Sequence, residues 1–219
     1  MTTPRDSFWR RNGLSVVFLA LMAAALLGQF VAGHVVYDRE LMEHGALPLS
    51  GWAYLRSGHF ISATFENWES EFLQMGMYVL LTVSLRQKGS AESRPMTPQQ
   101  EKERIERGPK PWPVRAGGLW KTLYGHSLAI AFTLLFVGSF ALHLHGSWRR
   151  ELAERALSGQ SRVSLADYLL DPQFWFESFQ NWQSEFLAVV SLVILSIWLR
   201  QKDSPQSKPL EAPHSQTGT

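Results

Sequence analysis

Two six-residue stretches, Asn67-Trp68-Glu69-Ser70-Glu71-Phe72 and Asn181-Trp182-Gln183-Ser184-Glu185-Phe186, repeat one pattern 114 residues apart. On a helix Asn67 and Glu71 are four apart and share a face, as do Asn181 and Glu185; Trp68 and Phe72 share the neighbouring face. Two chemistries fit this pattern. In the first, Trp68 and Trp182 sit in the headgroup layer of a membrane, while Asn and Glu fix helix entry by bonding the exposed N–H groups of a helix start. In the second, Glu71 and Glu185 form a pseudo-symmetric carboxylate pair at the mouth of a polar path, since charge within a membrane is costly and often functional. These carboxylates lie near enough to the headgroups for solvation, which favours the structural role.

Histidines form the second group. His34, His143 and His145 close two apolar blocks at the level of Glu71 and Glu185. His143 and His145 are two apart, so on a helix they point about 200° from each other and do not face one metal together. One of them with His34, Gln29 or a glutamate has the donors for a divalent ion or a proton relay. Interfacial histidines in contact with water are the simpler expectation. A bis-histidine haem would need His34 and His143 to face each other, with no other support in the sequence. No Glu-x-x-His pair is present for a di-iron carboxylate bundle. The chain has no cysteine, which excludes disulfides, thiolate metal sites and cysteine nucleophiles. No nucleotide loop, nucleophile elbow or zinc-protease pattern occurs. No cofactor and no enzymatic activity are therefore expected.

The elements that would position these residues are apolar blocks. Leu14–Gly33 is free of charge and long enough to cross a hydrocarbon layer of ~30 Å; Ser127–His145 is as clear until its histidines. Phe72–Leu85 and Phe186–Leu199 are shorter, and reach spanning length when extended back to Asn67 and Asn181. The expected fold is all-α and membrane-integral, with four spans at about 13–33, 67–86, 126–145 and 181–200. Between 54–90 and 168–204, 17 of 37 aligned positions are identical, a match that points to one duplicated helical hairpin. Expected boundaries are a first hairpin at 1–90, a linker at 91–120, a second hairpin at 121–204 and a disordered tail at 205–219. The linker is rich in proline and charge, with Glu101-Lys102-Glu103-Arg104 as a short surface helix. Short interfacial helices are expected at the Tyr-Leu pairs of the two outer loops, each about 33 residues long.

Charge sets the orientation. The N-terminus, the 86–121 segment and the C-terminus together hold 15 of the 21 basic residues, so this side is expected to be cytoplasmic. Arg86, Lys88, Arg200 and Lys202, in two Leu-Arg-Gln-Lys stops, are its anchors. Both hairpins then enter in the same direction, as a parallel duplication about the membrane normal. A cleaved signal peptide over the first block is disfavoured, because its loss would leave the first half without the partner its copy keeps.

With its duplicated Asn-Trp-x-Ser-Glu-Phe and Leu-Arg-Gln-Lys stops, the chain from Trp9 to Ser204 resembles a family of small bacterial four-helix membrane proteins that carries a domain of unknown function. The resemblance implies a bacterial inner-membrane location and no activity. The bilayer is the expected partner, together with a homo-oligomer or another membrane protein. The net charge of +2 gives no reason to expect nucleic acid. A structural, binding or accessory role is expected; the alternative is a small proton or cation channel using Glu71, Glu185 and the nearby histidines.

Overall fold

The computed structural model describes residues 7–97 and 108–218, and among these every regular element is a helix. The elements are α1 (Phe8–Glu43), α2 (Gly51–Leu55), α3 (Gly58–Ser84), α4 (Trp112–Ala116), α5 (Gly118–Gly125), α6 (Ser127–Leu157), α7 (Leu165–Leu169) and α8 (Pro172–Trp198). Three of them, α1, α6 and α8, are long and apolar enough to cross a membrane. The fourth expected span, α3, matches α8 in length at 27 residues, but Glu66, Glu69 and Glu71 interrupt its apolar character. The expected surface helix at Glu101–Arg104 lies outside the described residues.

The long helices overrun their apolar blocks. At 36 residues α1 is about 54 Å long. It continues past His34 because Tyr-Asp-Arg-Glu-Leu-Met-Glu holds no breaker before Gly45, which takes a positive φ of 73°. The starts move too. Ser57 Oγ accepts the Phe60 N–H at 3.2 Å, so α3 begins at Gly58 rather than at Asn67. Asp171 accepts from the Gln173 N–H at 2.8 Å and Pro172 fills the first helical position, so α8 begins there rather than at Asn181. The outer loops thus shrink from the expected length to 44–50 ahead of α2 and 158–164 ahead of α7, the two short helices at Tyr54-Leu55 and Tyr168-Leu169.

Element bounds recur with a shift of 114: α2 maps onto α7, α3 onto α8, and the end of α1 onto the end of α6. The stops recur bond for bond. Arg86 Nη1 donates to the carbonyls of Thr82, Val83 and Leu85, and Arg200 Nη1 to those of Ser196, Ile197 and Leu199. Beyond them the Gln87 N–H donates to Ser93 Oγ (3.0 Å) and the Gln201 N–H to Ser207 Oγ (2.9 Å). Gly89 and Asp203 hold the same positive-φ corner, at 85° and 64°. Asp tolerates that conformation through its short polar side chain. A Cβ at Gly89 would also come within 2.7 Å of the His214 carbonyl, so glycine is required there.

The tail after Ser204, expected to be disordered, is folded in turns onto the stop of α3. Lys208 is buried, and its ammonium donates to the carbonyls of Gly89 (2.5 Å), Gln216 (2.9 Å) and His214 (3.1 Å). Thr217 Oγ1 accepts the Gly89 N–H, and Ser90 Oγ meets Ser196 Oγ, both at 2.9 Å. Polarity alone suggested disorder; a single lysine that satisfies several carbonyls supplies the order.

Two compact units emerge. One comprises Met1–Ala63 with His145–Leu165, the other Thr64–Leu144 with Ala166–Thr219. The first is centred on Tyr37, Leu41 and Tyr54, packed by Phe30, Leu49 and Phe60. In it α3 and α6 meet through glycines. A Cβ on Gly58 would lie 2.4 Å from Arg150 N, and one on Gly146 2.6 Å from Ser62 N, so the two backbones are in direct contact. The second unit holds the polar cluster described next.

Candidate functional site

Within the second unit, α3, α6 and α8 bring together Glu66, Glu69, His143, Glu177, Asn181 and Trp182. Glu69 and His143 are both 0 % exposed, and His143 Nδ1 lies 3.0 Å from Glu69 Oε2. The other oxygen of Glu69 accepts the Trp182 indole N–H at 3.1 Å. Glu69 is therefore held at both oxygens, and it fixes the ring orientation of His143. Phe174 packs against the imidazole with ring centroids 5.0 Å apart.

Around this pair stand two half-buried carboxylates. Asn181 Nδ2 donates to Glu66 Oε1, and also to the Glu177 carbonyl at 3.3 Å. Gln173 Nε2 donates to Glu177 Oε1 at 3.0 Å. A nitrogen of His143 and one oxygen each of Glu66 and Glu177 lie within 4.8 Å of one another. The second imidazole nitrogen, His143 Nε2, is buried without a hydrogen-bond partner.

The residues singled out in the sequence divide. Asn67 and Asn181 are interior to their helices and so do not cap a helix start. Asn181 and Trp182 belong to the cluster, whereas Trp68 makes edge contacts with Phe65 and Phe72. Glu71 and Glu185 are brought together: their carboxyl groups are within hydrogen-bonding reach of each other. Gln74, buried beside them in sequence, donates to the Glu185 carbonyl at 2.8 Å. His143 is buried and His145 exposed, as their two-residue spacing requires. His34 falls in the first unit, where Nε2 meets the Leu49 carbonyl at 2.8 Å and Asp38 at 3.4 Å. Arg86 and Arg200 close the last turns of α3 and α8, while Lys88 and Lys202 are exposed. Glu66, Glu69 and Glu177 were missed by reasoning that looked for what the repeat preserves. Their signal lay in what it changes, since Glu66 and Glu69 become Gln180 and Gln183.

Away from the cluster, the same unit carries a small pocket of about 70 Å³, lined by Phe72, Leu73, Gly76, Leu80, Phe132 and Phe136 with Thr133 and Met77. Polar chemistry thus occupies one level of these helices, and apolar packing the next.

These features define an all-helical protein with apolar helices of membrane-crossing length and a buried acid–histidine cluster. The chain belongs to the family described as domain of unknown function DUF6766, whose model matches residues 5–219. No curated protein and no solved structure matches it.

Proposed function

We propose that this is a bacterial inner-membrane protein that crosses the bilayer four times, through α1, α3, α6 and α8, with both termini in the cytoplasm. The two hairpins are parallel copies, and the role is structural, binding or accessory rather than conducting. The observation that carries this reading is the confinement of the polar cluster to one level of the helices. Glu69 bonds both His143 and Trp182, Asn181 bonds Glu66, and the neighbouring level is lined by phenylalanine and leucine. A route for ions needs polar groups in succession along the membrane normal. The charge bias of the connecting segments supports the cytoplasmic placement of the termini.

The channel reading keeps one specific observation in its favour, the meeting of Glu71 and Glu185. Purified protein in liposomes separates the two. Proton or cation flux should equal that of empty vesicles, and Glu71→Gln and Glu185→Gln should leave extracted yield unchanged. Wild-type flux that vanishes in either variant at equal yield would establish the channel instead.

A further inference from the structure

The geometry points to a binding site for a divalent first-row transition ion, ligated by His143 Nε2 and by one carboxylate oxygen each from Glu66 and Glu177. Three independent features meet here. Ligand atoms of the right chemistry converge from α3, α6 and α8 to within 4.8 Å of one another. Bound ligands around a four-coordinate ion are about 3.4 Å apart, so closing onto a metal requires rotation of these side chains within the space they already share. His143 Nε2 is wholly buried and has no partner, although unpaired buried polar atoms are costly. Three carboxyl groups, Glu66, Glu69 and Glu177, also stand around one histidine, and a divalent cation would balance their charge.

The surrounding bonds are arranged as a metal requires. Glu69 accepts from His143 Nδ1, which makes that nitrogen the N–H and leaves the Nε2 lone pair to ligate. Trp182 holds Glu69 in place from its other oxygen. Asn181 occupies one oxygen of Glu66 and Gln173 one oxygen of Glu177, so each carboxylate keeps its second oxygen for the ion. One imidazole and two carboxylates suit Zn²⁺, Fe²⁺ or Mn²⁺; Ca²⁺ and Mg²⁺ favour all-oxygen sites, and Cu(I) favours sulfur.

The duplication separates this site from general packing. Shifted by 114, Glu66, Glu69 and His143 correspond to Gln180, Gln183 and Gln29, and Glu177 to Ala63. One copy of the arrangement is charged and the other neutral. A device for folding alone would have no need of the difference, and glutamine at the positions of Glu66, Glu69 and His143 is a substitution the architecture already carries.

Full-length protein in detergent, stripped with a chelator, would be titrated with Co²⁺ and followed by its visible d–d absorption and by calorimetry, with Zn²⁺ in competition. Saturable binding of one Co²⁺ per chain, displaced by Zn²⁺, is expected. Affinity should fall at least about 100-fold in His143→Gln, Glu66→Gln and Glu177→Gln, and about 10- to 100-fold in Glu69→Gln. Glu185→Gln should bind as the wild type does. Elution volume and helical circular dichroism confirm that each variant is folded, and Glu177→Gln, at a half-buried position, decides the matter should His143→Gln not fold. No saturable binding by the wild type would overturn the site, as would equal binding by folded Glu177→Gln.

Discussion

Hydrogen bonds to histidines decide what individual residues contribute. In the first unit Tyr54 OH lies 3.1 Å from His59 Nδ1, and Tyr37 stacks on the same ring at 4.8 Å. Burial and the nearby Arg150 guanidinium push His59, ahead of the apolar stretch of α3, below its ordinary value, with Glu154 opposing. Burial raises Tyr54, so its hydroxyl keeps the proton and donates to the neutral ring. The sign follows from this. The unfolded chain takes up the proton first, so the stability contributed by neutral His59 is complete above about pH 6.5 and lost progressively below it. Amide exchange of the 50–63 segment, corrected for intrinsic rates, should therefore be faster at pH 5.5 than at pH 7.5. In His59→Phe that pH dependence should disappear; its persistence would place the titrating group elsewhere. None of this was legible in the sequence, where His59 has no distinguishing neighbour. His143 was singled out only for its position at the end of an apolar block. The partner that defines it, Glu69, is 74 residues away, and only the change to Gln183 in the other copy marks it.

Secondary structure was far more legible, because apolar runs and stop signals are local. The helices centred on Leu14–Gly33 and Ser127–His145 and the two Tyr-Leu helices lie where the pattern puts them. Helix ends were misjudged for a physical reason: hydropathy reports where lipid contact would end, whereas a helix ends where its backbone bonds are capped or broken. Ser57, Asp171 and Pro172 were the informative residues. The tail makes the same point. Lys208 corresponds to Arg94 under the 114-residue shift, and Ser207 to Ser93, so the correspondence runs on past Ser204. Removing the ammonium in Lys208→Ala leaves the carbonyls of Gly89, His214 and Gln216 without their donor, at a cost of about 1–3 kcal/mol. Exchange of the amides from 204 to 217 should then accelerate about 5- to 100-fold, while Lys202→Ala, an exposed lysine, changes nothing. Unaltered protection in Lys208→Ala would show that the serine and threonine bonds hold the tail unaided.

For the whole molecule, the decisive question is which ends of the helices face the cytoplasm. Length and apolar character mark α1, α6 and α8 as able to cross, and α3 is tied to α8 by Gln74 and by the cluster. A helix so tied and equal in length should cross with its partner, with Glu69 buried and Glu66 half-buried rather than facing lipid. With four crossings the basic-rich segments share one side, and insertion favours the cytoplasm for that side. The chain has no cysteine, so each introduced one is a unique reporter. Leu47, 85 % exposed, and the exposed Gln160 lie in the two loops beside α2 and α7; Met96 and Gln201, also exposed, follow the stops of α3 and α8. An impermeant maleimide should label Leu47→Cys and Gln160→Cys in intact spheroplasts, and Met96→Cys and Gln201→Cys only after permeabilisation. With three crossings, α3 staying on the outer face, Leu47 and Met96 would share a side while Gln201 lay opposite Gln160. Outside labelling of Met96→Cys together with Leu47→Cys would therefore remove α3 from the membrane and, with it, the parallel placement of the two hairpins.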